Sequence, residues 1–198
     1  MRAALQSYLN EIKLYDFDTY LHCQRVAQVS AYIGKSIGFT PKELKNLWHA
    51  ALLHDLGKIQ IPKTILSKKE RLNEKEWKII KQHPENGLKL LKTANKVIIE
   101  GVKSHHEHYS GTGYPDHLKG ESIPLCARVI AIADALDAMI FPRPYRINPL
   151  PIDDALTEIQ INAGAQFDPV IIEKIMNQQE QLFTLLLNVK CKEAIGCK

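Results

Sequence analysis

The sequence predicts an all-α fold, one helical domain spanning residues 1–198 with a metal site between its central helices. Three observations lead there. Apolar residues recur three and four apart along almost every segment, as in Leu21, Val26, Val29, Ile33 and Ile37, and that period belongs to helices. Helix-start signatures are explicit at Thr40-Pro41-Lys42-Glu43 and at Asn73 with Glu76, where a capping side chain precedes a glutamate by three. No stretch shows the alternation or the bounded β-branched run of a convincing strand. At 198 residues and 45% hydrophobic, the chain can bury one substantial core.

Taken in order, Ala4, Leu5, Tyr8, Leu9 and Ile12 give a leading helix over residues 1–15. A second helix runs from Thr19 to Ile37 and closes at Gly38; Asp18 and His22, four apart, share a face. Pro41 occupies the first helical position of a third, ending at His54. Gly57 is read as its left-handed terminator. His49, five residues before His54, lies about 140° away around the helix and falls outside any site that His54 joins. Residues 59–62 read as an extended connection and Lys63–Leu66 as a single turn. The helix opened by Asn73 reaches His83, where Pro84 breaks or restarts it. Val97 to Ser104 form another, ending in His105-His106-Glu107, and a glycine-rich loop follows, Tyr109-Ser110-Gly111-Thr112-Gly113-Tyr114-Pro115. Ile123-Pro124 starts an almost wholly apolar and therefore central helix that nonetheless carries Asp134 and Asp137. Asp153 opens a helix to Asn162, Asp168-Pro169 caps a last one ending near Leu187, and residues 188–198 read as a frayed polar tail.

Composition excludes several functions. A net charge of +4 is too small to argue for a nucleic-acid polymer or a membrane surface, and suits a small anionic ligand. No apolar run approaches a bilayer span and no signal-peptide pattern opens the chain, so it reads as cytoplasmic. Cys23, Cys126, Cys191 and Cys197 lack metal-ligand spacing and read as ordinary thiols.

The chemistry is concentrated in imidazoles and carboxylates. His54-Asp55 ends a buried helix, His83 sits at a helix junction, and the adjacent His105 and His106 have little structural purpose. Asp134 inside an apolar helix is costly unless paired or coordinated. His22, His54, Asp55, His83, His105, His106 and Asp134 are too many ligands for one divalent ion and suit two sharing a bridge, with Asp55 placed to provide it. A set without thiolate favours Mn, Fe, Co or Zn. Paired ions roughly 3.5–4 Å apart activate water and stabilise the attacking and leaving oxygens of a phosphoester. Arg143 and Arg146 form a natural phosphate clamp.

These motifs resemble the HD-GYP family, a branch of the HD phosphohydrolase superfamily. The resemblance rests on His54-Asp55-Leu56-Gly57-Lys58, His105-His106-Glu107, Gly111-Thr112-Gly113-Tyr114-Pro115, Lys119-Gly120-Glu121-Ser122-Ile123-Pro124, Ala127-Arg128, Asp134 with Asp137-Ala138, Arg143-Pro144-Tyr145-Arg146 and Phe167-Asp168-Pro169. It extends over about residues 19–172. It implies hydrolysis of cyclic di-GMP to linear pGpG and further to GMP, by attack of a metal-bridging hydroxide on phosphorus. His22, His54, Asp55 and Asp134 would hold one ion, and Asp55 would bridge to a second held by His83, His105 and His106. Iron or manganese is the usual inference, with zinc, cobalt and nickel as alternatives. Lys58, Arg143 and Arg146 would grip phosphates, Lys58 and Asp55 also acting in catalysis; Gly113 and Tyr114 would line the guanine side, and Asp137 and Ala138 would also bind substrate.

The sequence departs from that pattern at several positions. Asp18 stands where some members place a third-metal glutamate, one methylene too short. His108, Ser110 and His117 replace common loop residues, and Ile140-Phe141-Pro142 replaces a polar run, exposing an apolar patch or shifting Arg143. Two alternatives stay open. One is a slow or inactive module binding cyclic di-GMP or diguanylate cyclase (GGDEF) partners, with homodimerisation compatible. The other is an HD phosphohydrolase acting on another nucleotide.

Overall fold

Four helices meet along apolar faces spaced by threes and fours, and together they form the centre of the molecule. The structure, a computed structural model, describes residues 2–91, 94–142 and 148–196. The helices are α1 (Arg2–Tyr15), α2 (Phe17–Ser36), α3 (Pro41–Leu53), α4 (Lys63–Leu66), α5 (Glu74–Ile80), α6 (His83–Leu90), α7 (Lys96–Ser104), α8 (Leu125–Ile140), α9 (Ile152–Ile161), α10 (Pro169–Met176) and α11 (Gln179–Gly196). The fold is all-α; the β pairing among the described residues is one isolated bridge, Ala163 with Phe167. The central group is α2, α3, α7 and α8. Val26, Ile33, Ala50, Val102, Ile130 and Ala133 are fully buried between them, the burial that drives such packing. No helix among the described residues is long and apolar enough to cross a membrane.

Both capping boxes form as their spacing requires. The Thr40 and Asn73 side chains accept from Glu43 N and Glu76 N, while those glutamates reach back to the cap amides. His49 lies in an apolar crevice beside Leu5 and Tyr8, apart from His54 as its spacing predicts.

Four expectations are corrected. Residues 59 and 60 belong to a 3₁₀ turn over Leu56–Gln60 rather than to the extended link, which begins only at Ile61, and α3 ends at His54 with right-handed backbone. Gly57 is therefore not a left-handed cap. A Cβ there would lie 1.9 Å from the His83 carbonyl oxygen and 2.5 Å from Gly87 N, so the residue is glycine to let α6 touch the turn. The final helix is two helices, α10 and α11, separated by a turn at residues 177–178, where Gln178 Oε1 accepts from Ser36 Oγ at 3.1 Å. Residues 188–196 continue α11: Leu182, Leu186 and Val189 form a buried stripe that carries the helix past Leu187.

The link after α9 is anchored by Asp168. Its Oδ1 accepts from Val170 N and Ile171 N, and its Oδ2 pairs with Arg128 of α8. Asp168 is buried, so Asp168→Ala removes a cap and takes the carboxylate from the Arg128 guanidinium, leaving it, among the described residues, the Ile123 carbonyl alone. The expected loss is about 3 kcal/mol of unfolding free energy, measured by urea titration; a loss indistinguishable from zero would refute the anchoring role.

Candidate metal centre

Every histidine of the candidate site except His22 sits where a helix stops or starts. His54 follows α3, His83 opens α6 one turn beyond α5, and His105-His106 follow α7, while His22 and Asp134 project from within α2 and α8. His22, His54, Asp55, His83 and His105 are no more than 1% exposed. Groups this polar at that burial require partners.

Half of each ring is already committed. His54 Nδ1 lies 2.7 Å from Ala51 O, His83 Nδ1 2.9 Å from Ile80 O, and His105 Nδ1 2.8 Å from Val102 O. A carbonyl only accepts, so each Nδ1 carries the hydrogen and a neutral ring presents a lone pair at Nε2. His22 Nδ1 faces Asp137 Oδ2 at 2.5 Å with the same outcome.

The Nε2 atoms then converge on one another. His22 Nε2 is 3.2 Å from His54 Nε2, and His83 Nε2 is 3.1 Å from His105 Nε2. Asp55 lies between the two pairs. Its Oδ2 is 3.5 Å from His22 Nε2 and 3.4 Å from His54 Nε2, whereas its Oδ1 is 3.3 Å from His83 Nε2. Asp134 Oδ1 adds a contact to His22 Nε2 at 3.1 Å. Two groups of donor atoms, each mutually within 4.8 Å, result: His22, His54 and Asp55, and His83, His105 and His106. Acceptors crowded against acceptors call for positive charge among them. A proton on one ring supplies it locally; two divalent cations satisfy both groups at once, and the all-nitrogen-and-oxygen set fits them.

The electrostatics agree. Burial holds His83 down to about 3 and His106 to about 4, and it keeps His105 well below the ordinary imidazole range. These rings are neutral at pH 7, the form a metal needs. Burial also opposes charge on His54, but Asp55 and Cys23 outweigh it and hold this ring well above its usual value. Burial would raise Asp55, yet Lys58, His54 and His83 keep it well below the carboxylate range. Asp134 is depressed against burial by its hydrogen bond to His22 and by the imidazole charge nearby.

Around this centre the remaining expected residues take varied places. Lys58 Nζ donates to Asp55 Oδ2 at 2.6 Å. Ala138 lines an open cleft of about 330 Å3 beside His105, His106 and Asp134. Tyr114 stacks on His106, ring centroids 4.9 Å apart, with Lys81 Nζ 5.1 Å from its ring centre. Asp137, expected among the substrate-binding residues, instead turns inward: it is buried and holds both His22 and the Arg25 guanidinium. Gly113 is also buried rather than lining a surface, since a Cβ would meet His108 N at 2.2 Å and Glu107 Cα at 2.5 Å. Asp18 is exposed on the first turn of α2 and belongs to neither donor group. Ile140 and Phe141 are buried, Phe141 beneath the Arg25 guanidinium at 4.0 Å, so no apolar patch opens there. Arg143 and Arg146 lie outside the described residues.

Two supporting residues escape a reading by motif. Arg25, one turn from His22, grips Asp137 through Nε at 2.5 Å and through Nη2 at 3.0 Å. Glu107, buried, accepts from Asp116 N at 2.7 Å and Leu118 N at 3.1 Å; it shapes the loop instead of facing the centre. The His22 to Arg25 spacing was the available signal for the first, and the burial implied by His-His-Glu for the second.

A family model described as HD domain matches residues 7–171. A cyclic di-GMP phosphodiesterase of Thermotoga maritima is 36% identical over 179 residues, covering 88% of this chain and 48% of that protein. The cyclic di-GMP phosphodiesterase response regulator RpfG of Xanthomonas campestris is 36% identical over 185 residues, covering 91% and 49%. The chain thus spans about half the length of these curated relatives. Among solved structures, a cyclic GMP-AMP specific phosphodiesterase of V. cholerae superposes with TM-score 0.66 at 21% identity, over 94% of this chain and 49% of that one; that likeness speaks to the fold alone.

Two outcomes are expected here. Asp137→Ala frees His22 Nδ1 and should weaken Mn(II) binding at one of two sites by about 10- to 100-fold, read by metal titration; equal weakening of both sites would refute selective support of His22. In chelator-treated protein, His83, His105 and His106 have folded values below the unfolded 6.5. The unfolded chain therefore binds more protons, and stability that is full above about pH 6.5 falls as pH drops toward those folded values. His54 runs the opposite way, one ring against three. Urea midpoints should fall from pH 7 to pH 4.5 and recover with metal; a midpoint that rises with acid would overturn this account.

Proposed function

The chain belongs to the HD domain family, and from that footing we propose that it is a metal-dependent phosphodiesterase that opens cyclic di-GMP to linear pGpG. Relatives bearing that activity in their names, at 36% identity over most of the chain, support the substrate. One observation carries the reading: Asp55 turns one oxygen toward each of two imidazole groups, beside a cleft open to a ligand. Such a carboxylate suits a bridge between two ions, with His22, His54 and Asp134 on one side and His83, His105 and His106 on the other. Iron or manganese matches a donor set of imidazole and carboxylate.

Two divalent ions, when bound, would supply an activated water and positive charge for the phosphoryl oxygens. The chain's own groups do the remainder. The Nδ1 hydrogen bonds fix each ring so that no reorientation is needed at the moment of reaction. Lys58, held at the edge of the centre by Asp55, steadies charge gathering on the phosphoryl oxygens as the water oxygen bonds to phosphorus. The P–O3′ bond breaks and the 3′ oxygen leaves with a proton, giving a linear product with a 5′-phosphate. Tyr114, stacked on His106, offers its outer edge to a base. Arg143 and Arg146 are assigned to the second phosphate on sequence grounds. The Gly-Tyr-Pro loop is the surface assigned to any diguanylate cyclase partner.

The test is an anaerobic assay with added Fe(II) or Mn(II), products resolved by chromatography and metal counted per chain. Wild-type protein should bind two ions and release pGpG. Lys58→Ala should keep both ions and slow turnover by about 100-fold, while Asp55→Ala should lose metal and activity together. Turnover by metal-free protein, or equal metal loss in both variants, would refute these roles.

A further inference from the structure

Beside His105, His106 and Asp134, the cleft is lined by both apolar and polar side chains. Ala131, Ala135 and Ala138 recur along one face of α8 and leave a shallow apolar strip, the surface a flat aromatic ring packs on. Glu158 and Asn162, one turn apart at the end of α9, line the same cleft. Asn162 Nδ2 donates to the Glu158 main-chain carbonyl at 2.9 Å. The Glu158 side chain is exposed, and among the described residues none pairs with its carboxylate. The lining is mixed: this alanine strip lies in the same cleft as imidazole, carboxylate and amide groups, and polar groups placed around an apolar surface are what fix a small ligand's orientation.

A carboxylate is an odd choice in a cleft meant for a phosphodiester. Ionised, it only accepts hydrogen bonds, and toward phosphate oxygens it offers repulsion. It therefore has to address a part of the ligand that presents donors. The Watson–Crick edge of guanine presents two adjacent ones, N1–H and N2–H₂, which a carboxylate takes in parallel. Adenine presents an acceptor, N1, beside the single donor at N6, so one carboxylate oxygen would oppose a lone pair. Enzymes acting on unstacked nucleotides read that edge in this way.

We propose that Glu158 is a specificity-determining residue that reads one guanine of the substrate, with the ring laid on the Ala131–Ala138 strip and its attached phosphodiester at the metal centre. The assignment rests on the cyclic dinucleotide reading given above and adds the base rule to it. One such site requires one guanine, so cyclic di-GMP and cyclic GMP-AMP are both admitted while cyclic di-AMP is rejected.

The test measures equilibrium binding, by calorimetry, of turnover-resistant phosphorothioate analogues of cyclic di-GMP and cyclic di-AMP to metal-loaded wild-type and Glu158→Gln proteins. Wild type should prefer the guanine analogue by about tenfold or more, and the preference in Glu158→Gln should shrink to about threefold or less. Metal content and melting temperature, which a merely structural role would move, should not change. No preference in wild type, or the same preference in both proteins, overturns the proposal. Cleavage of cyclic di-GMP is followed alongside. If the preference collapses in the variant but neither protein cleaves, the base rule stands and the hydrolysis reading falls. Cleavage by both with the preference intact in the variant defeats the base rule alone.

Discussion

The structure depends on one local bond made three times. His54, His83 and His105 each give the Nδ1 hydrogen to a carbonyl three residues earlier, Ala51, Ile80 and Val102 respectively. The last carbonyls of a helix have no amide partner within it, so a histidine placed there satisfies one. In doing so it fixes its own ring and aims the opposite nitrogen away from the helix. Three helix ends are arranged so that these nitrogens face each other across Asp55. The packing of α3, α6 and α7 is therefore inseparable from the electrostatics of the centre: a helix that shifted would carry its lone pair with it.

His22 solves the same problem differently. It lies within α2, where the carbonyls are already used, so its Nδ1 needs a partner from elsewhere. Asp137 supplies it from α8, and Arg25 neutralises Asp137 from the same helix as His22. The Arg25 guanidinium also lies over Phe141, at the point where the chain leaves α8 toward Arg143. One half-buried cation thus ties an imidazole of the centre to the residue at which the chain leaves α8.

Much of this was legible in the sequence, and the limits have physical causes. Helix positions follow from periodicity and capping chemistry, both local properties. The candidate ligands could be found because polar residues in apolar helices have few other uses. Asp137 was misplaced because one position along a helix, about 100° of rotation, separates a side chain lining the cleft from one buried behind it. Family pattern alone cannot decide that rotation. Gly57 and Gly113 were given the wrong reason for the right residue. Their need is absence of bulk against a distant backbone, at His83 and at residues 106–108, and only the packed molecule shows which chain comes near. Residues 188–196 read as tail because their polarity hides Val189, which continues the buried stripe of Leu182 and Leu186.

The two halves of the centre differ in how much of the chain must exist before they do. His83, His105 and His106 come from neighbouring α6 and α7 and need only Asp55 from the turn that packs on α6. The other half joins His22 to a helix far downstream, with Asp137 lying 115 residues on. Contacts of such sequence separation form late, and during N-to-C synthesis they wait for the ribosome to release α8. The His83, His105 and His106 group thus draws on neighbouring segments, whereas the His22 group is complete only when parts of the chain 115 residues apart are folded together.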